Sequence, residues 1–287
     1  MKRLLILIMS VLSTMQLYSE NKALLIGIGD YLGEYGWNTI HGNSDIYLLK
    51  PRLEQRGFEV KTLIDSAATK SNIQKALKAL IDETKDGDKI YIHFSGHGQR
   101  ITDLNGDEES GMDETIVPYD AKRSPTKGVY DGEKHFIDDE LSHLLSVLKQ
   151  KVGTNGEILM AIDACYSNGT ERAFNNNDVD SSLAKRGTDD KFEIVSPTRS
   201  KVKDIPLPQE FDGGGLLIVI SACESTECNY EYRAASGRMY GSLSYCIAKL
   251  LEFNANFNKW TRFFQNEEYR RWRVFQSCQH PTITVYN

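Results

Sequence analysis

Four continuous apolar runs divide a chain whose other stretches alternate or repeat with helical spacing. Residues 22–29 read Lys22-Ala-Leu-Leu-Ile-Gly-Ile-Gly29, and residues 89–94 lead into Ser95-Gly96-His97-Gly98. Residues 158–163 end in Asp163-Ala-Cys165-Tyr-Ser-Asn-Gly169, and residues 215–223 read Gly215-Leu-Leu-Ile-Val-Ile-Ser-Ala-Cys223. Runs this short, apolar throughout and bounded by turn residues, read as central strands. Between the first two, residues 44–56 carry Ile46, Leu48, Leu49 and Leu53 at helical spacing, closed by Gly57. Residues 58–64 alternate as a strand. A helix then starts at a Ser71 cap and shows Ile73, Ala76, Leu77, Leu80 and Ile81 on one face. This strand–helix alternation predicts one α/β domain, with a mostly parallel sheet and helices on both faces.

Further along, residues 99–138 read as a polar connection. Residues 139–152 read as a helix on Leu141, Leu144, Leu145 and Leu148, and residues 240–253 and 259–275 as two more. Residues 281–286 read as a last strand, placed at an edge by Pro281. Residues 168–214 show no apolar periodicity. A connection of that length inside a compact domain is either a functional loop or disordered.

The opening of the chain changes the picture of where it works. Lys2 and Arg3 precede an apolar stretch to Leu17, followed by Ser19-Glu20. A basic start, an apolar middle and a small residue make residues 1–19 a signal peptide and residues 20–287 an exported domain, periplasmic or secreted. The stretch is short for a membrane span, so no membrane association is expected after its removal. A net charge of −6 argues against a nucleic-acid partner, which wants a basic face. Five cysteines, an odd number in an exported protein, leave at least one free thiol. The other four could pair, but their spacing defines no framework.

Cys165 and His97 each follow an apolar strand and stand beside glycine-containing turns. Open α/β sheets place their chemistry at such strand ends. An imidazole that accepts the thiol proton turns cysteine into a nucleophile at neutral pH. The backbone N–H groups of Gly98 and Cys165, both at turns after strands, are candidates to hold the oxyanion formed at an attacked carbonyl.

These two motifs, Ser95-Gly-His97-Gly98 and Asp163-Ala-Cys165-Tyr-Ser-Asn-Gly169, resemble the catalytic motifs of the caspase-like cysteine peptidases, and metacaspases among them most closely. Caspases carry glutamine two residues before the cysteine, whereas this chain has Asp163, as metacaspases do. The likeness extends to Gly42-Asn-Ser-Asp45, the acidic segment 103–120, Phe136-Ile-Asp138-Asp139-Glu-Leu, Ile220-Ser-Ala-Cys223, Gly241-Ser-Leu-Ser-Tyr245 and Gln279-His-Pro-Thr-Ile. It covers residues 22–287.

The resemblance implies a caspase-hemoglobinase-like three-layer αβα sandwich with a mostly parallel six-stranded sheet. It implies a Cys165/His97 dyad that hydrolyses peptide bonds through an acyl-enzyme, with Asp45 and Asp163 lining the S1 pocket. Two carboxylates there favour Arg or Lys before the cut bond and disfavour aspartate. Protein or peptide substrates and a monomeric enzyme follow from the same likeness. No cofactor is required on this reading. Calcium is a candidate ligand, held by Asp113, Asp138 and Asp139, although the family's further acidic ligand seven residues past the cysteine is Arg172 here. Asp103, Asn105, Asp107, Glu109 and Glu114 come near EF-hand spacing, but Glu108 stands where that loop needs glycine. The loop 168–214 carries Arg172, Lys185-Arg186, Arg199, Lys201 and Lys203, all candidate sites of self-cleavage. The alternative from a different class is a catalytically idle caspase-like binding scaffold.

Overall fold

A computed structural model describes residues 19–166, 180, 182–188, 190–194, 211–253 and 256–287. The proposed signal peptide lies outside these residues, apart from Ser19. Six strands form the central sheet: β1 (Asn21–Gly27), β2 (Phe58–Ile64), β3 (Lys89–Ser95), β7 (Glu157–Asp163), β8 (Leu216–Ser221) and β11 (Thr282–Tyr286). Their order is β11-β8-β7-β3-β1-β2, and all neighbours are parallel except β11, which runs antiparallel to β8 at the edge. β11 begins just after Pro281, where the missing N–H costs no ladder bond.

Helices cover both faces. α1 (Gly42–Glu54), α4 (Ser242–Glu252) and α5 (Phe257–Gln265) bury Ile46, Leu49, Leu243, Ile247 and Trp260 against Leu25, Tyr91, Leu159 and Ile218. On the other face α2 (Lys70–Glu83) and α3 (Asp138–Val152) bury Ile73, Leu77, Leu141 and Leu145 against Leu24, Ile92 and Met160. Successive strand residues thus feed opposite cores, which is why the strands read as unbroken apolar runs. The three-layer αβα sandwich and its six-stranded, mostly parallel sheet are those expected.

Local details differ from the sequence expectation. α2 starts two residues earlier than Ser71 suggested: Thr69 is the cap, and its side chain accepts from the Asn72 N–H at 3.3 Å. The region 99–138 is not a plain connection. It holds β4 (Gly98–Thr102), β5 (Met112–Ile116) and β6 (Phe136–Ile137), a small antiparallel sheet in the order β4-β5-β6. Charged residues on β4 and β5 broke the apolar alternation that would have revealed it. Residues 259–275 form the end of α5 and then a short 3₁₀ turn, Glu268–Trp272. A further hairpin pairs β9 (Glu231–Arg233) with β10 (Met239–Gly241). No disulfide joins any of the five cysteines.

Candidate active site

β3 and β7 are neighbours in register, with Ser95 opposite Asp163. His97 and Cys165 stand two residues beyond that pair, so the expected base and thiol follow the carboxyl ends of two neighbouring parallel strands. Gly98 abuts Cys165 so closely that a Cβ on it would lie 2.5 Å from the Cys165 carbonyl oxygen.

His97 is set in an aromatic frame. Its ring stacks on Trp37 at 4.9 Å and tilts against Tyr31 at 5.1 Å. Tyr31 Oη accepts from the His97 N–H at 2.9 Å and donates to the Val117 carbonyl, while Trp37 Nε1 donates to the Ala121 carbonyl. His97 Nε2 lies 2.8 Å from the Asn38 carbonyl oxygen. A carbonyl only accepts, so Nε2 carries the proton. That leaves the lone pair on Nδ1, which is buried and makes no hydrogen bond. Burial pushes the ring's pKa down to about 4, and the Arg186 and Arg123 charges add to this against the opposing pull of the Asn38 carbonyl. His97 is therefore neutral and able to take a proton. Cys165 is 2 % exposed, and its Sγ lies 3.1 Å from the Glu227 carbonyl oxygen.

The expected carboxylates Asp45 and Asp163 are both fully buried, and both face the side chain of Arg186. Arg186 Nη2 pairs with Asp45 Oδ2 at 2.8 Å and with Glu231 Oε1 at 2.9 Å, while Nη1 meets Ser95 Oγ and lies 3.8 Å from Asp163 Oδ1. The pocket walls are themselves tied down. Asp163 accepts from Asn229 Nδ2, the Ser244 N–H and the Ser244 hydroxyl, each at 2.7 Å, and Asp45 accepts from the Gly241 N–H at 2.9 Å. His41 holds Glu231 through both its backbone N–H and Nδ1, at 2.7 Å each. Burial and the neighbouring Asp163 charge lift Asp45 to about 6, against the pull of Arg186. Asp163 is also opposed by burial, but Arg186, Asn229 and Ser244 together hold it below the usual carboxylate range. A third buried carboxylate, Glu231, was invisible in the sequence, where Tyr230-Glu231-Tyr232 carries no motif.

The backbone of the same segment is held like a bound peptide. The Arg186 carbonyl oxygen accepts from the Cys165 N–H at 3.0 Å and the Gly98 N–H at 3.2 Å. The Arg186 N–H donates to the Asn229 carbonyl, and the Glu231 N–H donates to the Ala184 carbonyl. Residues 184–186 thus pair antiparallel with 229–231. Gly187 follows, and a Cβ there would lie 2.4 Å from the Cys165 carbonyl oxygen. Only glycine fits. A cavity of about 330 Å³, lined by Cys165, Asn38, Arg123, Lys185 and Thr188 among others, opens beside this bond. The other basic residues of the loop, Arg172, Arg199, Lys201 and Lys203, lie outside the described residues.

The acidic segment folds into a second cluster. One carboxylate oxygen from each of Asp103, Asp107 and Asp113 lies within 4.8 Å of the others. Asp138 and Asp139, expected beside Asp113, are its charged neighbours: burial first and then these like charges push Asp113 up to about 8. Burial likewise lifts Asp138 to about 7 and Asp139 to about 6. Asp139 Oδ2 accepts from Asn105 Nδ2, and Oδ1 of both Asp113 and Asp138 is buried without a hydrogen bond. The closest triad therefore includes Asp103 and Asp107, which sequence spacing had set only in an EF-hand frame. The segment is no EF-hand, because a β-hairpin carries it.

Comparisons with known proteins bear on the whole chain. A family model described as "Caspase domain" matches residues 20–285. Metacaspase-1B of Aspergillus terreus is 36% identical over 160 residues, covering 52% of this chain and 38% of that protein. Metacaspase-1 of Botryotinia fuckeliana is 30% identical over 213 residues, covering 71% of this chain and 43% of its own length. The matched region is less than half of each of these relatives. Among solved structures, protein GSU0716 from Geobacter sulfurreducens superposes with a TM-score of 0.62 over 93% of both chains at 18% identity, a likeness of fold alone. The strand-end thiol and histidine thus stand in a chain that belongs to the caspase-domain family of cysteine peptidases, as a metacaspase-type member.

Proposed function

We propose that this chain is an exported cysteine endopeptidase that cuts after Arg or Lys, and that its own Arg186–Gly187 bond is its first substrate. The observation that carries this reading is the seat of Arg186. Its guanidinium fills a pocket of three buried carboxylates while its carbonyl oxygen sits under two N–H groups beside Cys165. An aspartate side chain there would face three like charges at low dielectric, whereas Arg supplies forked donors and Lys a point charge.

In the reaction Cys165 gives its proton to His97 Nδ1, and Sγ attacks the Arg186 carbonyl carbon. The oxygen takes the negative charge, held by the N–H groups of Gly98 and Cys165. Collapse breaks the C–N bond, and His97 passes its proton to the departing Gly187 amine. Water then hydrolyses the thioester and restores the thiol. The Asn38 carbonyl fixes the ring so that Nδ1 is the nitrogen that moves the proton. Because the Arg-filled pocket is the substrate-bound arrangement, the lowered His97 pKa belongs to the complex and is read in kcat. A kcat–pH profile on an Arg peptide is expected to hold its activity at pH 5.5 and to lose it toward pH 4. An acid limb near 6.5 would show that substrate does not keep the ring buried and neutral.

Calcium is part of the proposal. The donors are all oxygen, and buried carboxylate oxygens lack partners, a set that fits a hard cation. Asp103, Asp107 and Asp113 would hold it, with Asp138 and Asp139 adjacent. When bound, the ion supplies positive charge that relieves their mutual repulsion. We also propose that the enzyme works as an exported monomer, on the basis of residues 2–19 and the family resemblance.

The test uses the purified chain and Cys165→Ala on fluorogenic peptides ending in Arg, Lys or Asp, each with calcium and with chelator. Cleavage after Arg and Lys by the first protein alone is expected, and chelator is expected to slow it. Cleavage after Asp would overturn the pocket assignment, and no cleavage by a folded protein under either condition would favour the scaffold reading.

A further inference from the structure

The segment that leaves Gly187 does not turn away from the cleft. Arg123 Nη2 donates to Thr188 Oγ1 at 2.8 Å and pairs with Asp190 Oδ2 at 2.8 Å. The Arg123 carbonyl accepts from Gln99 Nε2, which also donates to the Asp190 carbonyl at 3.0 Å. Two residues later the chain lies along β4. The Phe192 N–H donates to the Arg100 carbonyl at 2.8 Å, and the Phe192 carbonyl accepts from the Thr102 N–H at 3.0 Å. Isolated parallel bridges join Gly98 to Gly187 and Ile101 to Phe192. β4 is an edge of its small sheet, so this segment covers hydrogen-bonding groups that edge would otherwise present.

The Phe192 ring is fully buried in a socket of its own. It meets Tyr130 edge-on at 5.7 Å and His135 at 4.8 Å, with Ile101 and Ile137 completing the walls. The socket is rigid: Tyr130 Oη lies 3.0 Å from His135 Nδ1, and His135 Nε2 lies 2.9 Å from Gln99 Oε1. Gln99 thus ties the socket to the Arg123 contact.

We propose that the peptide-binding cleft extends past the cut bond as a second recognition site. Arg123 selects a hydroxyl residue at the second position after the bond and a carboxylate at the fourth, and the socket takes an aromatic side chain at the sixth. The occupant is a peptide substrate added in parallel to β4, a recurrent way of binding extended chains; in the structure the chain's own residues 187, 188 and 190–194 hold the place. This site rests on the proposed peptidase reading, since the positions are counted from the Arg186–Gly187 bond.

The test separates the two. Full-length protein carrying Cys165→Ala and Phe192→Ser keeps the cleft uncut and empties the socket. Binding of a labelled peptide copying residues 187–194 is read by fluorescence anisotropy. The same peptide with serine in place of its phenylalanine is expected to bind at least 10-fold more weakly, the scale set by burying one large apolar side chain. Adding Arg123→Gln is expected to remove the preference for threonine over valine at the second position of the peptide. Equal binding of the phenylalanine and serine peptides overturns the socket, as does failure of the phenylalanine peptide to bind. A preference for threonine that survives Arg123→Gln overturns the role of Arg123. If Phe192→Ser melts cooperatively below the assay temperature, Phe192→Ala replaces it. Because binding is read without a thiol, an inactive peptidase would leave this measurement intact, and the short fluorogenic peptides would report that failure by themselves.

Discussion

Chain carrying Arg186→Gln stays whole at the 186–187 bond under conditions where the unaltered chain releases a fragment that begins at Gly187. The expected difference in rate is at least 100-fold, read by intact mass and by the N-terminal residue of the fragment. Glutamine keeps a polar side chain, but it is two bonds shorter than arginine and loses the charge that Asp45, Asp163 and Glu231 surround without any contact with water. Loss of one partner from a buried ion cluster costs about 3–5 kcal/mol, which converts to that scale of rate. Arg186→Lys should still be cut, since an ammonium meets the same carboxylates. Cys165→Ala should leave the bond intact whatever stands at 186. The same variant has a second, opposite signature. The unaltered chain should hydrolyse small Arg peptides only after a lag, because its own Arg186 fills the pocket, whereas Arg186→Gln should begin without one. Cutting of Arg186→Gln at the unaltered rate would mean that the pocket around Arg186 is a structural ion cluster and no substrate site.

Asp163→Asn is expected to lower kcat/KM on Arg and Lys peptides by about 10²–10³-fold. The substitution preserves volume and removes the charge, but its one oxygen can accept from the two Ser244 donors or from Asn229, not from both, so part of the loss is a hydrogen bond. Asp163 is the carboxylate held ionised by Arg186, Asn229 and Ser244, whereas burial and the Asp163 charge lift Asp45 to about 6. Asp163 therefore supplies the firmer charge. Asp45→Asn should cost less, because burial and the Asp163 charge already oppose the ionised form of Asp45. Thermal melts of both variants serve as the control for folding. If Asp163→Asn cuts Arg peptides at an undiminished rate, the guanidinium is recognised by Asp45 and Glu231 without it.

Sequence by itself determined the sheet, both layers of helices and the two strand ends that carry the proposed site. Strands β1, β3, β7 and β8 are buried on both faces, and that demand writes an unbroken apolar run into adjacent residues. His97 and Cys165 follow two such runs directly, so placing them at adjacent strand ends needed only parallel neighbours in register. Asp163 was legible for the same reason, and Asp45 through the motif at the start of α1.

Tertiary structure alone decided how the pocket closes and what fills it. Glu231 enters beside His41, 190 positions away, and the Gly241 N–H reaches Asp45 across 196 positions. The group that orients His97 is a backbone carbonyl, that of Asn38, which every residue type carries equally. Asp103 and Asp107 join Asp113 because a hairpin folds them back, a closeness that linear spacing does not encode. Arg186 looked like one basic residue among several in an unpatterned loop. Its local sequence contains no sign of burial, because the energy that buries it comes from carboxylates on three distant elements and from N–H groups on two others.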